Sequence, residues 1–186
     1  MLVIPAKTGT ARQTHSVEPQ APRVPSPRPE ADAPTGGALS AYLRETLPLD
    51  LGELAQDVVA QMLTEGRLDN VDIHYHLSDE AVSVELPRRQ FARIIEHMVA
   101  SSAEAMKAVA DRQHMLRIIV EPADPLGDYG PRLRMQDTGA SIIVEDSLQA
   151  TIERAETLGA KLTVKNRPTG GNIFTVELPA EQVRSW

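Results

Sequence analysis

The chain has no cysteine. Disulfides, thiolate metal sites and cysteine nucleophiles are therefore excluded. Aromatic residues make up 3% of the sequence, against 41% hydrophobic residues in all. A core must be built from aliphatic side chains. No apolar run approaches the ~20 residues that a membrane helix needs. The opening Met1–Lys7 is too short for a secretory apolar region and has no basic segment ahead of it. A cytoplasmic protein with no membrane partner is the expectation. Positive charge is also scarce: 19 Lys and Arg stand against 26 Asp and Glu, for a net charge of −7. A duplex nucleic acid needs a basic face, so it is not expected as a partner.

Proline is plentiful and unevenly placed. Half of the 14 prolines fall in residues 1–38. That stretch has almost no helical or strand periodicity and too little apolar surface to offset its ordering entropy. The expectation is a disordered, Pro-rich N-terminal arm, partly polyproline II. Its tip carries Leu2, Val3 and Ile4, which suit a short docking peptide on a tether. Residues 39–186 then form one domain.

Pro87 to Asp111 organises that domain. Phe91, Ile94, Ile95, Met98, Val99, Ala103, Met106 and Val109 recur at helical spacing and make one apolar stripe. Pro87 suits the first turn. The small residues Ala100, Ser101, Ser102, Ala103 and Ala105 let another backbone or a ligand come close. His97 and Ser101 share a face beside the stripe, which leaves His97 half buried.

Around this helix the other elements read in order. Leu39–Leu47 is a short helix, ended by Pro48. Asp50 and Glu53 make a capping pattern for a helix from Leu51 to about Glu65, and Gly66 stops it. Val71–Leu77 alternates as a half-buried strand with His74 and His76 on its polar face. The two imidazoles have no third ligand nearby, so no metal is expected. Ala81–Leu86, Met115–Val120 and Arg132–Gln136 are strands. Asp146–Leu158 is a helix stopped by Gly159. Leu162–Lys165 and Asn172–Leu178 are strands joined by the turn Arg167–Gly171. The methionines Met62, Met98, Met106, Met115 and Met135 fill core gaps. Trp186 reads as a frayed terminus. The fold class is α/β: a two-layer sandwich with a mixed five- to six-stranded sheet covered on one face by three helices. The other sheet face should be more polar or be used for contacts.

LDLGELAQDVVAQML, VSVELPRRQFARIIEHMVASSAEAM, RLRMQDTGASI and LGAKLTVKNRPTGGNIFTVELP occur in this order between Leu49 and Glu181. Together they resemble the ATP-binding catalytic domain of sensor histidine kinases, in the GHKL ATPase superfamily. The resemblance implies an α/β sandwich, and ATP with Mg²⁺ as ligands. It places the nucleotide pocket at His97 and Ser101 in the N-box and at Asp137, Gly139 and Ser141 in the G1 box. In the family the carboxylate at the place of Asp137 accepts from the adenine amino group.

The departures point away from that activity. His97 and Ser101 stand where the family carries an acidic or amide residue and an asparagine. Imidazole is a poor ligand for Mg²⁺, which prefers oxygen. Ser141 replaces a glycine. The mobile lid and the Gly-rich G2 box are missing: Ile142–Glu145 leads straight into the helix at Asp146, with Glu145 and Asp146 where phosphates need donors. No phosphoacceptor helical hairpin is expected in the Pro-rich arm, where His15 has no helical context. The reading is a degenerate, pseudokinase-like domain with no cofactor. It is expected to act as a protein-interaction module or adaptor in two-component signalling. Its partner is a kinase, a response regulator or a second copy of itself. Two alternatives stand beside it: a residual ATP-binding protein or kinase, and a phosphotransfer protein using His97.

Overall fold

The computed structural model describes residues 48–179. The arm 1–38, its tip Leu2, Val3 and Ile4, the helix expected at Leu39–Leu47, His15 and Trp186 lie outside the described residues. In chain order the elements are β1 (Leu49–Asp50), α1 (Leu51–Thr64), β2 (Asp72–His76), β3 (Ser83–Val84), α2 (Arg88–Lys107), β4 (Met115–Glu121), β5 (Arg132–Asp137), α3 (Asp146–Thr157), β6 (Lys161–Asn166) and β7 (Asn172–Glu177).

The main sheet has five strands in the order β2-β4-β5-β7-β6. β2 runs parallel to β4, and the remaining pairs are antiparallel. The three helices cover one face of this mixed sheet, giving the two-layer α/β sandwich read from the sequence. β1 and β3 form a separate two-stranded ladder, Leu49 opposite Val84. The segment expected as a strand over Ala81–Leu86 thus pairs for only two residues, and outside the main sheet. Its apolar residues Val82, Val84 and Leu86 are buried, so it closes the core without extending the sheet.

Local chemistry sets the helix ends. Asp50 Oδ1 accepts from the Glu53 N–H at 2.8 Å and caps α1. Gly66 follows α1 at φ +69°, the left-handed conformation that ends many helices. α2 starts one residue after Pro87 and ends at Lys107, four residues short of Asp111. Past it, the Val109 N–H donates to Met106 O at 3.0 Å, a tightened last turn. His114 Nε2 donates to Val109 O at 2.9 Å and so holds the chain as it turns into β4.

The apolar stripe of α2 is the centre of the core. Phe91, Ile94, Ile95, Met98, Val99 and Met106 are fully buried, and Val109 beyond the helix end is half buried. They meet Leu54, Val58, Val59 and Met62 of α1, Leu148 and Ala155 of α3, and the inward residues of the sheet such as Leu116, Met135 and Phe174. Each such burial contributes roughly 1.5–3 kcal/mol before entropy is counted. Ile95→Ala would cost about 2–5 kcal/mol. Met115 is half buried, unlike the other four core methionines. β2 sits at the sheet edge, so its inward residues are only partly covered; Tyr75 remains 37% exposed.

The opposite sheet face is polar, as expected. Arg117, Arg132, Arg134, Thr163, Lys165 and Thr175 project from it by strand alternation. Among the described residues no helix is long and apolar enough to cross a membrane.

Candidate functional site

β5 ends on Asp137, whose carboxyl group is 1% exposed. Asp137 Oδ1 accepts three hydrogen bonds. The Gly139 N–H donates at 2.9 Å, the Asn172 N–H at 3.1 Å and Asn172 Nδ2 at 2.9 Å. Burial pushes the pKa of Asp137 above the ordinary carboxylate value, and these donors, with the nearby Ser102 hydroxyl, oppose the rise. Ser102 Oγ and Asp137 Oδ2 are buried and make no well-formed hydrogen bond.

The loop after Asp137 is fastened on two sides. The Ala140 N–H donates to Ala105 O of α2 at 2.8 Å, and the Gly171 N–H donates to Gly139 O at 2.9 Å. Gly139 lies so close to α2 that a Cβ there would sit 2.5 Å from the Ala105 carbonyl carbon. The small residues of α2 therefore admit a backbone, the chain's own. Gly171, at φ +86°, has no room for a side chain against the Asp137 carbonyl. Thr138 Oγ1 accepts from the Met115 N–H at 3.0 Å and donates to Gln113 O at 2.7 Å.

Two asparagines close the rest of the loop. The Ile142 N–H is shared between Asn166 Oδ1 and Asn172 Oδ1, both at 3.1 Å. Asn166 Nδ2 donates to Ile142 O at 3.1 Å, and Asn172 Nδ2 also donates to Ala140 O at 2.8 Å. Ser141 points to solvent, and Ile143 and Val144 after it are exposed.

His97 and Ser101 lie elsewhere, in a cleft of about 450 Å³ between α2 and α3. His97 is exposed, not half buried as its place beside the stripe suggested, because α3 approaches α2 without closing over this turn. His97 Nδ1 is 2.9 Å from Thr151 Oγ1. The Thr151 hydroxyl donates to Ser147 O at 3.0 Å, so it receives the Nδ1 proton from His97. Glu96, Glu104 and Glu145 line the same cleft. Arg67, which also lines it, is held by Glu96 at 2.6 Å and Glu65 at 3.4 Å. Among the described residues no group of acidic, histidine or cysteine side chains is placed to hold a metal ion.

The five residues assigned to a nucleotide pocket thus fall in three settings: a cleft, a buried latch and an exposed loop. Asp137, the carboxylate that the resemblance assigns to adenine, is enclosed, and Glu96, Glu104 and Glu145 line the cleft beside the hydroxyl-bearing Ser101 and Ser147. Asn172 was missed by the sequence reading. Its signal was parity: it alternates with Phe174 and Val176, which places an amide on the buried face.

No protein-family profile matches the chain, and no curated protein matches it. Solved structures do. The catalytic domain of the histidine kinase ThkA aligns at 21% identity, over 73% of this chain and 97% of that one, with a TM-score of 0.57. The ATP-binding domain of PrrB from Mycobacterium tuberculosis aligns at 13% identity, over 76% of this chain and 99% of that one, with a TM-score of 0.56. ThkA in complex with the response regulator protein TrrA aligns at 20% identity, over 76% of this chain and 45% of that one, with a TM-score of 0.57. At these identities the likeness is one of fold: the chain has the fold of histidine kinase ATP-binding catalytic domains.

Proposed function

We propose that the chain is a histidine-kinase-like domain that has exchanged nucleotide chemistry for protein interaction, acting as an adaptor or regulatory module in cytoplasmic, bacterial-type two-component signalling. One observation carries the reading: Asn172 gives Asp137 Oδ1 both its side-chain and its backbone N–H. The same Asn172 donates to Ala140 O and accepts from the Ile142 N–H, and Asp137 Oδ2 is itself buried, so an adenine amino group would have to open this packing to reach the carboxylate. The cleft supports the same reading, since the carboxylates lining it, Glu96, Glu104 and Glu145, outnumber the lining cation Arg67, which Glu96 already holds. ThkA, which shares the fold, has been solved with a response regulator protein. A response regulator, a kinase or a second copy of this chain is accordingly the proposed partner. The apolar tip Leu2, Val3 and Ile4 is the proposed docking peptide, on the strength of the sequence alone.

The His97 phosphotransfer alternative has one observation in its favour. With Nδ1 donating to Thr151, the Nε2 of a neutral His97 is an acceptor. The surrounding carboxylates oppose it, because a phosphoryl donor must approach through them.

Calorimetric titration with ATP, with and without Mg²⁺, tests the proposal. No heat of binding is expected at millimolar nucleotide. Micromolar, Mg²⁺-dependent affinity would replace it with the ATP-binding reading.

A further inference from the structure

The uncovered sheet face carries a trough of about 430 Å³ along β7. Its floor is Ile173 and Thr175 of β7, short side chains between longer ones. One wall is Arg132 and Arg134 of β5, the other Lys161 and Lys165 of β6. The sheet register sets them in rows: Lys161 and Arg132 flank Glu177, and Thr163 and Arg134 flank Thr175.

The charges here are not balanced. Arg132 pairs with Glu177 and Arg134 with Glu121, both at 3.1 Å. Lys161 and Lys165 are exposed and make no ion pair among the described residues. Arg117 lies one strand beyond, level with Gln136 in the Ile173 row, and is exposed. A chain with a net charge of −7 thus sets three exposed cations, Lys161, Lys165 and Arg117, on the sheet face away from the helices.

We propose that this trough is a docking site for an acidic, extended segment of a protein partner. The spacing favours such a segment over a compact anion. Lys161 and Lys165 are four residues apart on one strand, about 13 Å, so they do not converge on one phosphate. In an extended peptide, side chains at i and i+4 point the same way at that same separation. Glu177 and Glu121 already occupy the two guanidinium groups that would otherwise clamp a phosphate. Duplex DNA is disfavoured by the net charge of the whole chain. Ile173 gives the segment one apolar contact on the floor.

This inference deepens the interaction-module reading by naming a surface and its partner chemistry. The two fail separately, since ATP affinity would leave the trough untouched. The test uses fluorescence anisotropy with the full chain and three labelled probes: a ten-residue Glu-Thr repeat, a ten-residue Lys-Thr repeat and a short DNA duplex. The acidic peptide is expected to bind and to weaken as salt is raised. Lys161→Glu with Lys165→Glu is expected to lower its affinity about tenfold or more, given the modest worth of each exposed ion pair. Arg93→Glu with Lys107→Glu, the same charge change on α2, is expected to leave it within about twofold. Circular dichroism melts confirm that both double variants fold. Equal loss in both double variants, no binding of the acidic peptide, or tighter binding of the basic peptide or the duplex would overturn the proposal.

Discussion

Asn172 Nδ2 stands 2.9 Å from Asp137 Oδ1 and 2.8 Å from Ala140 O, so one buried amide ties the end of β5 to the loop that follows it. Its Oδ1 accepts from Ile142 N–H at 3.1 Å. Asn172→Ala removes these bonds and leaves a buried carboxyl group with fewer donors. A loss of about 3 kcal/mol is expected. Urea denaturation should show a lower midpoint at an unchanged slope. A loss below about 0.5 kcal/mol would mean that water replaces the amide and the latch is weak.

Asp137 should leave a mark on the pH dependence of stability. Burial raises its folded-state pKa above the ordinary value. A raised pKa means the folded state holds the proton more tightly. Its contribution is fully present below the unfolded pKa and is lost as pH rises through the folded one. Asp137→Asn keeps an oxygen for Gly139 and Asn172 and removes this titration. The stability of the wild type relative to the variant should therefore fall as pH rises above the ordinary carboxylate value. Thermal melts of both proteins across that range check the sign, and a difference that grows with pH would refute it.

Gly139 and Gly127 give a paired steric test. A Cβ on Gly139 would meet the Ala105–Met106 backbone at 2.5–2.7 Å, whereas Gly127, at φ +81°, has nothing within 4 Å. Gly139→Ala should cost about 3 kcal/mol by forcing the loop from α2. Gly127→Ala should cost about 1 kcal/mol, from backbone strain alone. Similar costs would mean that the loop is not pressed against the helix.

His97 should matter little to stability. It is exposed and makes one side-chain hydrogen bond, to Thr151. His97→Asn should shift stability by less than about 1 kcal/mol. Incubation of the wild type with a phosphorylated response regulator should leave no acid-labile phosphate. Such a phosphate, absent from the variant, would establish the phosphotransfer reading instead.

The sequence made the helical layer legible because its signal is periodic and long. The α2 stripe from Phe91 to Met106 repeats over several turns, and Asp50 and Gly66 mark the ends of α1 by known cap chemistry. The β1–β3 ladder was not legible, because two residues carry no period. The exposure of His97 depends on how closely α3 approaches α2, a tertiary fact that a helical wheel does not hold. Asp137 was singled out from the sequence, but its partner Asn172 lies 35 residues away. Pairing of that kind is set by the β5–β7 register and not by local spacing.

The central claim is that the Asp137 loop is latched to α2 and to the β6–β7 turn without a nucleotide. Amide hydrogen exchange at Ala140 and Gly171, measured with and without MgATP, tests it most directly. Their N–H groups donate to Ala105 O and Gly139 O. Slow exchange in the free protein, unchanged by millimolar MgATP, is the predicted result. Fast exchange that slows when MgATP is added would show a loop that closes on nucleotide, and would contradict the account.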